Sequence, residues 1–482
     1  MPYKTPGVYI EEVSSGSKPI AGVGTSTGGF IGFSKTGPMY NAKMVTNWTQ
    51  FVKLFGGFDP RFKLPYTVWS FFAEGGSKCF IVRAGRDSSA KAQCIVKDGA
   101  GADLLKVKDN YPGEEGNDLW ARVLKVNETK KTFSLGIYKG DPEKEAPNLL
   151  EHYSERTLED IDDIESKRFT ISQLAVGDLL PAEGKTPLEG GSEGKPSDPI
   201  TWMGTPANKK GFHAFDVKDD VNIVSAPDAA GNPDVMKYGI TYCYNRRDAY
   251  FIADPAFNTD LEGIEKFGEA ISSPAGYGAL YYPWVTINNP NTGKRVMVPP
   301  SGLAAGSFAH TDSTRGVHKA PAGVAEGFLN IAVALEFELN AAEQENLNDL
   351  GINAIRRFSP EGICLWGCRN ITADAEWKYI NVRRLFLYIE ESIKKASTWV
   401  VFEPNDPQLW GKVKRNIVAF LTRVWRSGAL FGGTPEEAFF VKIDEENNPP
   451  EERDAGNLNI TIACAPVKPA EFVIIQISQK TL

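Results

Sequence analysis

Residues 46–57 read TNWTQFVKLFGG. Thr46 or Asn47 offers a side-chain oxygen to cap a helix. Trp48, Phe51, Val52 and Phe55 recur at helical spacing, and Gly56 supplies the stop. A helix with one apolar stripe has to bury it, and its neighbours say against what. GGFIGFS (28–34) and KCFIVRAG (78–85) are short apolar runs that read as buried strands, and PYTVWSFFAEGG (65–76) is a second helix ending in glycine. Strand, helix, helix and strand with glycine stops between them predict a layered α/β unit.

The texture changes at about residue 90. LWARVLKV (119–126) and KTFSLGIY (131–138) alternate as antiparallel strands do, and 179–200, rich in Gly, Pro, Glu and Ser, reads as a surface loop. The α/β texture returns with a strand at VNIVSAPD (221–228), helix then strand at 236–255, and mixed signals over 328–358. In DPQLWGKVKRNIVAFLTRVWRSGALFGG (406–433), Asp406 is an N-cap, Pro407 opens the helix and Gly428 ends it. At about 100° per residue, Val413, Ile417, Phe420, Leu421, Val424 and Trp425 share one side, while Lys412, Arg415, Arg423 and Arg426 share the other. That basic face is either a contact for an acidic partner or a solvated face with weak local ion pairs.

The expected fold is a multidomain α/β (α+β) chain of layered mixed-sheet cores. A middle α/β domain spans 21–90 and 216–360, a mainly β surface-exposed insertion spans 91–215, and a C-terminal α/β domain spans 361–468. The two ends, 1–20 and 469–482, read as extended arms. Val8, Tyr9, Ile10 and Val13 lie in the first, and Phe472, Val473, Ile474, Ile475 and Ile477 form a lone apolar, β-branched run in the second. A lone strand needs a sheet to join, either that of its own body or that of a neighbouring copy.

The chain has 482 residues, too many for one compact core. A net charge of −8 argues against a general nucleic-acid binder. No apolar run is long enough to span a bilayer, and MPYKTPGVYIEEV has no apolar signal core, so a product assembled in the bacterial cytoplasm is expected. Six cysteines are too sparse for a disulfide scaffold and read as buried thiols.

No stretch carries a catalytic, cofactor or metal signature. GVGTSTGG (22–29) has the wrong glycine spacing for a dinucleotide loop. Cys364 and Cys368 have no second ligand pair, and EDIDDIE (159–165) lacks the spaced ligands of a calcium loop. His310, Asp312 and Ser313 are too close together in sequence for a triad. RGVHKAPAG (315–323) is the most concentrated segment, with Arg315, Gly316, His318, Lys319 and Pro321. Two glycines allow unusual backbone angles, the proline fixes one, and the arginine fork suits carbonyls or carboxylates. It reads as a lock between layers.

These stretches also carry a resemblance. TPGVYIEEV (5–13), PIAGVGTSTGGFIGF (19–33), VTNWTQFVKLFGGF (45–58), YYPWV (281–285), VPPSGLAAGSFAHTDSTRGVHKAPAG (298–323), LNDLGINAIRRF (347–358), ICLWGCRN (363–370) and PAEFVIIQIS (469–478) together resemble contractile tail sheath proteins. Such proteins occur in contractile-tailed phages, R-type pyocins and extracellular contractile injection systems. Cys368 departs from the pattern, which carries alanine there. The insertion matches weakly, at PGEEGNDL (112–119). The resemblance implies a non-enzymatic subunit that stacks with itself as six-fold rings in a helix around an inner tube protein, with baseplate and terminal cap proteins at its ends. It implies strand exchange by both arms, contraction that drives the tube through a target envelope, and no cofactor, nucleic acid or small-molecule substrate. The basic face of helix 407–427 would then be the inner-tube contact. A baseplate or tail-terminator component, or a soluble α/β binding module, is the alternative.

Overall fold

The structure is a computed structural model and describes residues 19–471 apart from 87, 145–147, 178 and 196–198. The residues named in both arms lie outside the described residues. The centre of the molecule is an eight-stranded sheet in the order Gly362–Leu365, Ile352–Phe358, Gly278–Tyr282, Tyr250–Ala253, Ile223–Ser225, Gly28–Gly32, Cys79–Arg83 and Lys43–Val45. Its inner pairings are parallel and its two edge strands antiparallel. Helices cover both faces. Tyr250 packs towards Phe308 of the Ser301–Thr314 helix, while its neighbour Phe251 lies against Gly239 of the Pro233–Arg246 helix. Successive strand residues point to opposite faces, so a strand buried on both sides has to be apolar throughout, as GGFIG and YFIA are.

The 46–57 stretch folds as read. The helix runs Trp48–Phe55, Asn47 accepts from the Gln50 N–H, and Gly56 turns with φ +83°. Phe51 and Phe55 are buried, but Val52 is 39% exposed and does not belong to the buried stripe. The Leu64–Ala73 and Ser301–Thr314 helices pack closely: a Cβ on Gly302 would stand 2.6 Å from the Thr67 carbonyl oxygen, so only glycine allows this approach.

Between strands Cys79–Arg83 and Ile223–Ser225 the chain builds two further antiparallel sheets. One joins Gln93–Lys97, Asp103–Asp109 and Phe169–Gln173. The other joins Gly184–Pro187, Leu119–Asn127, Thr132–Lys139 and Asn148–Arg156. They enclose a separate apolar cluster. The 179–200 segment is not the plain surface loop expected. Gly184–Pro187 is an edge strand paired with Leu119–Asn127, Leu188 is fully buried, and Glu193 lies buried 3.6 Å from Arg83. Gly and Pro content signals a break in helix but does not exclude an edge strand.

Two expected boundaries shift. Trp202, Phe212 and Phe215 already pack in the main core, so the chain rejoins it before residue 216. Strand Gly362–Leu365 closes the central sheet, so a division at 360/361 cuts through that sheet. The turn at Ser359–Glu361, where the expected boundary falls, is the tip of a hairpin. Cys368 lies beyond that strand; it and Cys364 are both buried, and burial pushes the Cys368 thiol up to about 12. A second apolar core gathers around the Ile380–Ala396 and Pro407–Arg426 helices and the hairpin Phe439–Lys442/Thr461–Cys464. Among the described residues no helix is long and apolar enough to cross a membrane.

Candidate assembly interface

In open α/β sheets, ligands sit at the carboxyl ends of the strands where the strand order reverses. Here Gly28–Gly32 and Ile223–Ser225 flank that point, and the protein fills it with its own carboxylates. Asp228, half-buried, accepts from the backbone N–H groups of Phe33 (2.8 Å), Lys63 (2.5 Å) and Leu64 (3.1 Å). The Leu64–Ala73 helix has no side-chain cap of its own, so Asp228 satisfies its N-terminus from across the sheet. Asp254 does the same for the Ser301–Thr314 helix, accepting from the Ser301 N–H at 2.9 Å and its hydroxyl at 2.6 Å. Burial outweighs these hydrogen bonds and lifts Asp228 to about 6 and Asp254 to about 7. Among the described residues no cluster of three metal-ligating side chains occurs.

The chemistry that stands out lies around residues 19–27 and 465–471, at the two ends of the described residues. Residues 19–27 thread between the main core and the second core. Ile20 is buried in the latter, and its carbonyl accepts from Arg423. Gly22 lies so close to Tyr388 that a Cβ would fall 2.2 Å from its hydroxyl. The Val23 N–H donates to the Ser392 hydroxyl at 3.1 Å. Thr25 reaches a buried ion pair: Arg384 donates to both Asp312 oxygens at 2.9 and 2.6 Å and to the Thr25 carbonyl at 3.0 Å, and the Thr25 hydroxyl donates to Asp312 at 2.6 Å. Both charged side chains are under 5% exposed, so each needs the other. This network joins the N-terminal root, the Ser301–Thr314 helix and the Ile380–Ala396 helix. The sequence reading missed it; the signal was Arg384 inside the apolar run RLFLYI.

The 315–323 segment lies beside the same junction. Gly316 has φ +92° and its N–H returns to the Thr311 carbonyl at 3.1 Å, ending the helix. Arg315 donates to the buried Glu326 carboxylate at 2.5 Å. Val317 enters the second core. The His318 carbonyl accepts from Asn381 at 2.7 Å, and Asn381 also donates to the Val467 carbonyl. Burial, then the charges of Arg315 and Lys319, holds the His318 ring below its ordinary value and so neutral at pH 7. The Lys319 N–H closes a turn on the Gly316 carbonyl at 3.1 Å, and Pro321 is buried. The segment is architecture: one asparagine ties it to both the Ile380–Ala396 helix and the C-terminal tail.

The C-terminal root is pinned in the same manner. Glu471, the last described residue, receives a two-pronged contact from Arg369 at 2.8 and 2.7 Å and a hydrogen bond from Tyr379 at 3.2 Å, with Lys378 at 3.7 Å. Burial works to raise this carboxyl, but Arg369, Lys378 and Tyr379 outweigh it and leave it lowered. A lone glutamate opening the apolar run EFVII was the legible signal.

The basic helix face divides. Lys412, Arg415 and Arg426 are exposed and carry no ion pair among the described residues. Arg423 is exposed as well, but it donates to the Ile20 carbonyl and lies over the Phe420 ring, which ties it to the N-terminal root. On the other side of this helix, the hairpin Phe439–Lys442/Thr461–Cys464 is a two-stranded sheet. Among the described residues neither outer edge of this two-stranded sheet pairs with a further strand, and Leu430 bridges Pro466 just beyond the end of Thr461–Cys464.

Comparison with known proteins places this architecture. Among solved structures, the contracted anti-feeding prophage helical sheath aligns with a TM-score of 0.62 at 23% identity, over 99% of this chain and 100% of that one. The contracted PVC sheath complex of an extracellular contractile injection system gives 0.60 at 23% identity, over 100% and 99%. A sheath tail protein from Listeria innocua gives 0.64 at 12% identity, over 89% and 90%. The fold is therefore that of contractile sheath proteins.

The family follows from sequence. A family model for the phage tail sheath protein central domain matches residues 214–371, and one for the phage tail sheath C-terminal domain matches 372–480, together more than half of the chain. The chain belongs to the phage tail sheath family. The tail sheath protein of Vibrio phage KVP40 is 31% identical over 179 residues, 37% of this chain and 26% of that protein. The tail sheath protein of Enterobacteria phage T4 is 25% identical over 179 residues, again 37% and 26%. The matched region thus spans about a quarter of the length of these phage relatives.

Proposed function

We propose that the protein is the structural subunit of a contractile sheath. It polymerises helically as stacked six-fold rings around an inner tube, with baseplate and cap proteins at the ends, and contracts to drive the tube through a target envelope. Assembly takes place in the bacterial cytoplasm, and the work comes from energy stored in subunit contacts rather than from a nucleotide. One observation carries the reading: both terminal roots are pinned to the body by buried polar networks, while the C-terminal hairpin has open edges among the described residues. A two-stranded sheet is marginal alone and gains most from added strands. The arms, with Val8, Tyr9, Ile10 and Val13 at one end and Phe472 to Ile477 at the other, are the strands of matching chemistry, given to neighbouring copies. Backbone pairing keeps the mesh connected while the bodies rotate, and pinned roots transmit the motion of an arm to both cores.

Lys412, Arg415 and Arg426 face the inner tube in this arrangement, and weak, salt-screened charge pairs suit a contact that has to release. The β-rich insertion points away from the tube. Deletion of residues 1–18 or 472–482 tests the reading. The full chain should form tubes under negative stain, whereas each deleted chain should stay dispersed with unchanged circular dichroism. Tubes from either deleted chain would overturn arm exchange.

A further inference from the structure

The Pro233–Arg246 helix ends in Arg247, whose backbone is left-handed at φ +67°. Its guanidinium lies over the Tyr244 ring, 4.2 Å from the centroid, and donates to the Tyr277 hydroxyl at 3.3 Å. Arg383 stands over both the Tyr277 and the Trp377 rings, at 4.4 and 3.3 Å. Tyr244, Arg247, Tyr277, Arg383 and Trp377 thus form a ladder of alternating rings and guanidinium groups. Its inner end is closed. Tyr277 and Arg383 are buried, Arg383 donates to the Ala275 carbonyl at 2.7 Å, and its Nε meets no acceptor among the described residues. Its outer end is open, with Tyr244 37% exposed and Arg247 exposed. Among the described residues neither arginine has an ion pair. Glu390 lies in electrostatic range of both without pairing with either.

Two guanidinium charges against one carboxylate leave this socket a net cation. Stacking already holds the Arg247 fork in place, so an incoming carboxylate meets donors that need little further ordering. Trp, Tyr and Arg are also the residues that dominate binding energy at protein contacts.

A feature of opposite sign lies elsewhere on the chain. Strands Phe439–Lys442 and Thr461–Cys464 are joined by residues 443–460, far longer than a hairpin turn needs. Asparagines brace this loop. Asn448, fully buried, donates to the carbonyls of Asp444 (3.2 Å) and Asn459 (3.0 Å) and accepts from the Asn459 N–H at 2.6 Å, while Asn447 donates to the Lys442 carbonyl at 3.0 Å. The bracing presents Glu445, Glu451 and Asp454 exposed, and none of them has an ion pair or a side-chain hydrogen bond among the described residues.

One chain keeps the socket and the loop apart. Arg383 and Glu390 share a face of the Ile380–Ala396 helix at about 100° per residue, and Tyr388, on the other face, packs on Phe420 of the Pro407–Arg426 helix. The loop lies past that second helix, where Arg453 stands over the Trp410 ring and Asn405 donates to the Asn457 carbonyl at 2.8 Å.

We propose that the acidic loop of one subunit seats in the arginine socket of a second copy, with a carboxylate of Glu445, Glu451 or Asp454 closing on the Arg247 fork. The proposal rests on the sheath-subunit reading but uses neither end of the chain. Two different patches meet, so the contact repeats from copy to copy, as a ring or a helix requires.

The test is a charge swap in the full chain. One variant carries Arg247→Glu; a second carries Glu445→Lys, Glu451→Lys and Asp454→Lys; a third carries all four changes. Circular dichroism checks folding, and sedimentation with negative stain gives the threshold concentration for tubes. Each of the first two variants should raise the threshold at least about tenfold, as loss of close interfacial charge pairs implies. The combined variant should return it to within about threefold of wild type. Should Arg247→Glu fail to fold, Tyr244→Glu places the negative charge in the socket instead. Either single variant at the wild-type threshold would overturn the proposal, and so would a combined variant no better than the worse of the two. A socket variant impaired alone, with the loop variant unaffected, would mean that the socket serves another protein and would overturn it equally. A wild-type chain that forms no tubes even with purified inner tube would instead sink the sheath-subunit reading, and this proposal with it.

Discussion

Replacing Arg384 by methionine removes one half of the ion pair that joins the N-terminal root to both cores. The Asp312 side chain is 3% exposed and, among the described residues, would keep only the Thr25 hydroxyl as a close partner. Breaking a buried pair by deleting one member costs about 3–5 kcal/mol, because an uncompensated charge is left in a poorly solvating site. At about 1.4 kcal/mol per tenfold, that is a loss of roughly two to four decades in the hydrogen-exchange protection of amides that open with the junction. The amides to follow are those of the Ile380–Ala396 helix, in a chain lacking residues 1–18 so that polymerisation does not mask the effect. The double variant Arg384→Met, Asp312→Leu removes both charges and should recover most of the protection, since a buried pair exchanged for apolar groups of similar size is often neutral. The reasoning fails if Arg384→Met changes protection less than about fivefold, a shift of about 1 kcal/mol. It fails equally if the double variant is as unstable as the sum of the single ones.

Three further outcomes follow from the same structure. Asp254 ionises at about 7 and Asp228 at about 6 when folded, against 3.8 for the free side chain, so the folded state holds more protons between pH 3.8 and those values. Stability should therefore fall as pH rises through that window, by up to about 1.4 kcal/mol per pH unit for each group, and Asp254→Asn should flatten the drop between pH 6 and 7 in thermal melts of the dispersed chain. Reversing Lys412, Arg415 and Arg426 to glutamate should abolish recruitment to purified inner tubes at low salt, whereas unchanged recruitment would remove the tube-facing assignment. Leu188→Ala should destabilise the insertion by about 2–5 kcal/mol through a buried cavity, read as loss of protection in Leu119–Asn127, and deleting 179–200 should disrupt the same sheet.

Much of the fold was legible because the central strands are buried on both faces and so read as unbroken apolar runs, and because Asn47, Asp406, Gly56 and Gly428 sit where helix ends require them. The 184–187 strand was hidden because an edge strand needs no apolar pattern, only backbone pairing with Leu119–Asn127. The boundary at 360/361 misled because a Ser-Pro-Glu-Gly turn looks the same in a linker and in a hairpin. Of the proposed interface, the basic helix face was legible, while the apolar runs at the two ends lie outside the described residues. Its working parts were not. Arg384 with Asp312 and Arg369 with Glu471 are pairs 72 and 102 residues apart, and pairing at such distance leaves only the local oddity of a charge in an apolar run. Arg423 lies on the basic stripe by helical spacing, yet a carbonyl at residue 20 claims it.

The central claim is that this one chain encodes a sheath through arms given to neighbouring copies, and the most direct measurement is electron microscopy of the full chain expressed alone, followed by helical reconstruction. The account predicts long hollow tubes in which residues 472–477 of one subunit and 8–13 of another lie along the open edges of the Phe439–Lys442/Thr461–Cys464 hairpin. Dispersed particles that stay dispersed when purified inner tube is added, or tubes in which each arm folds back on its own hairpin, would contradict it.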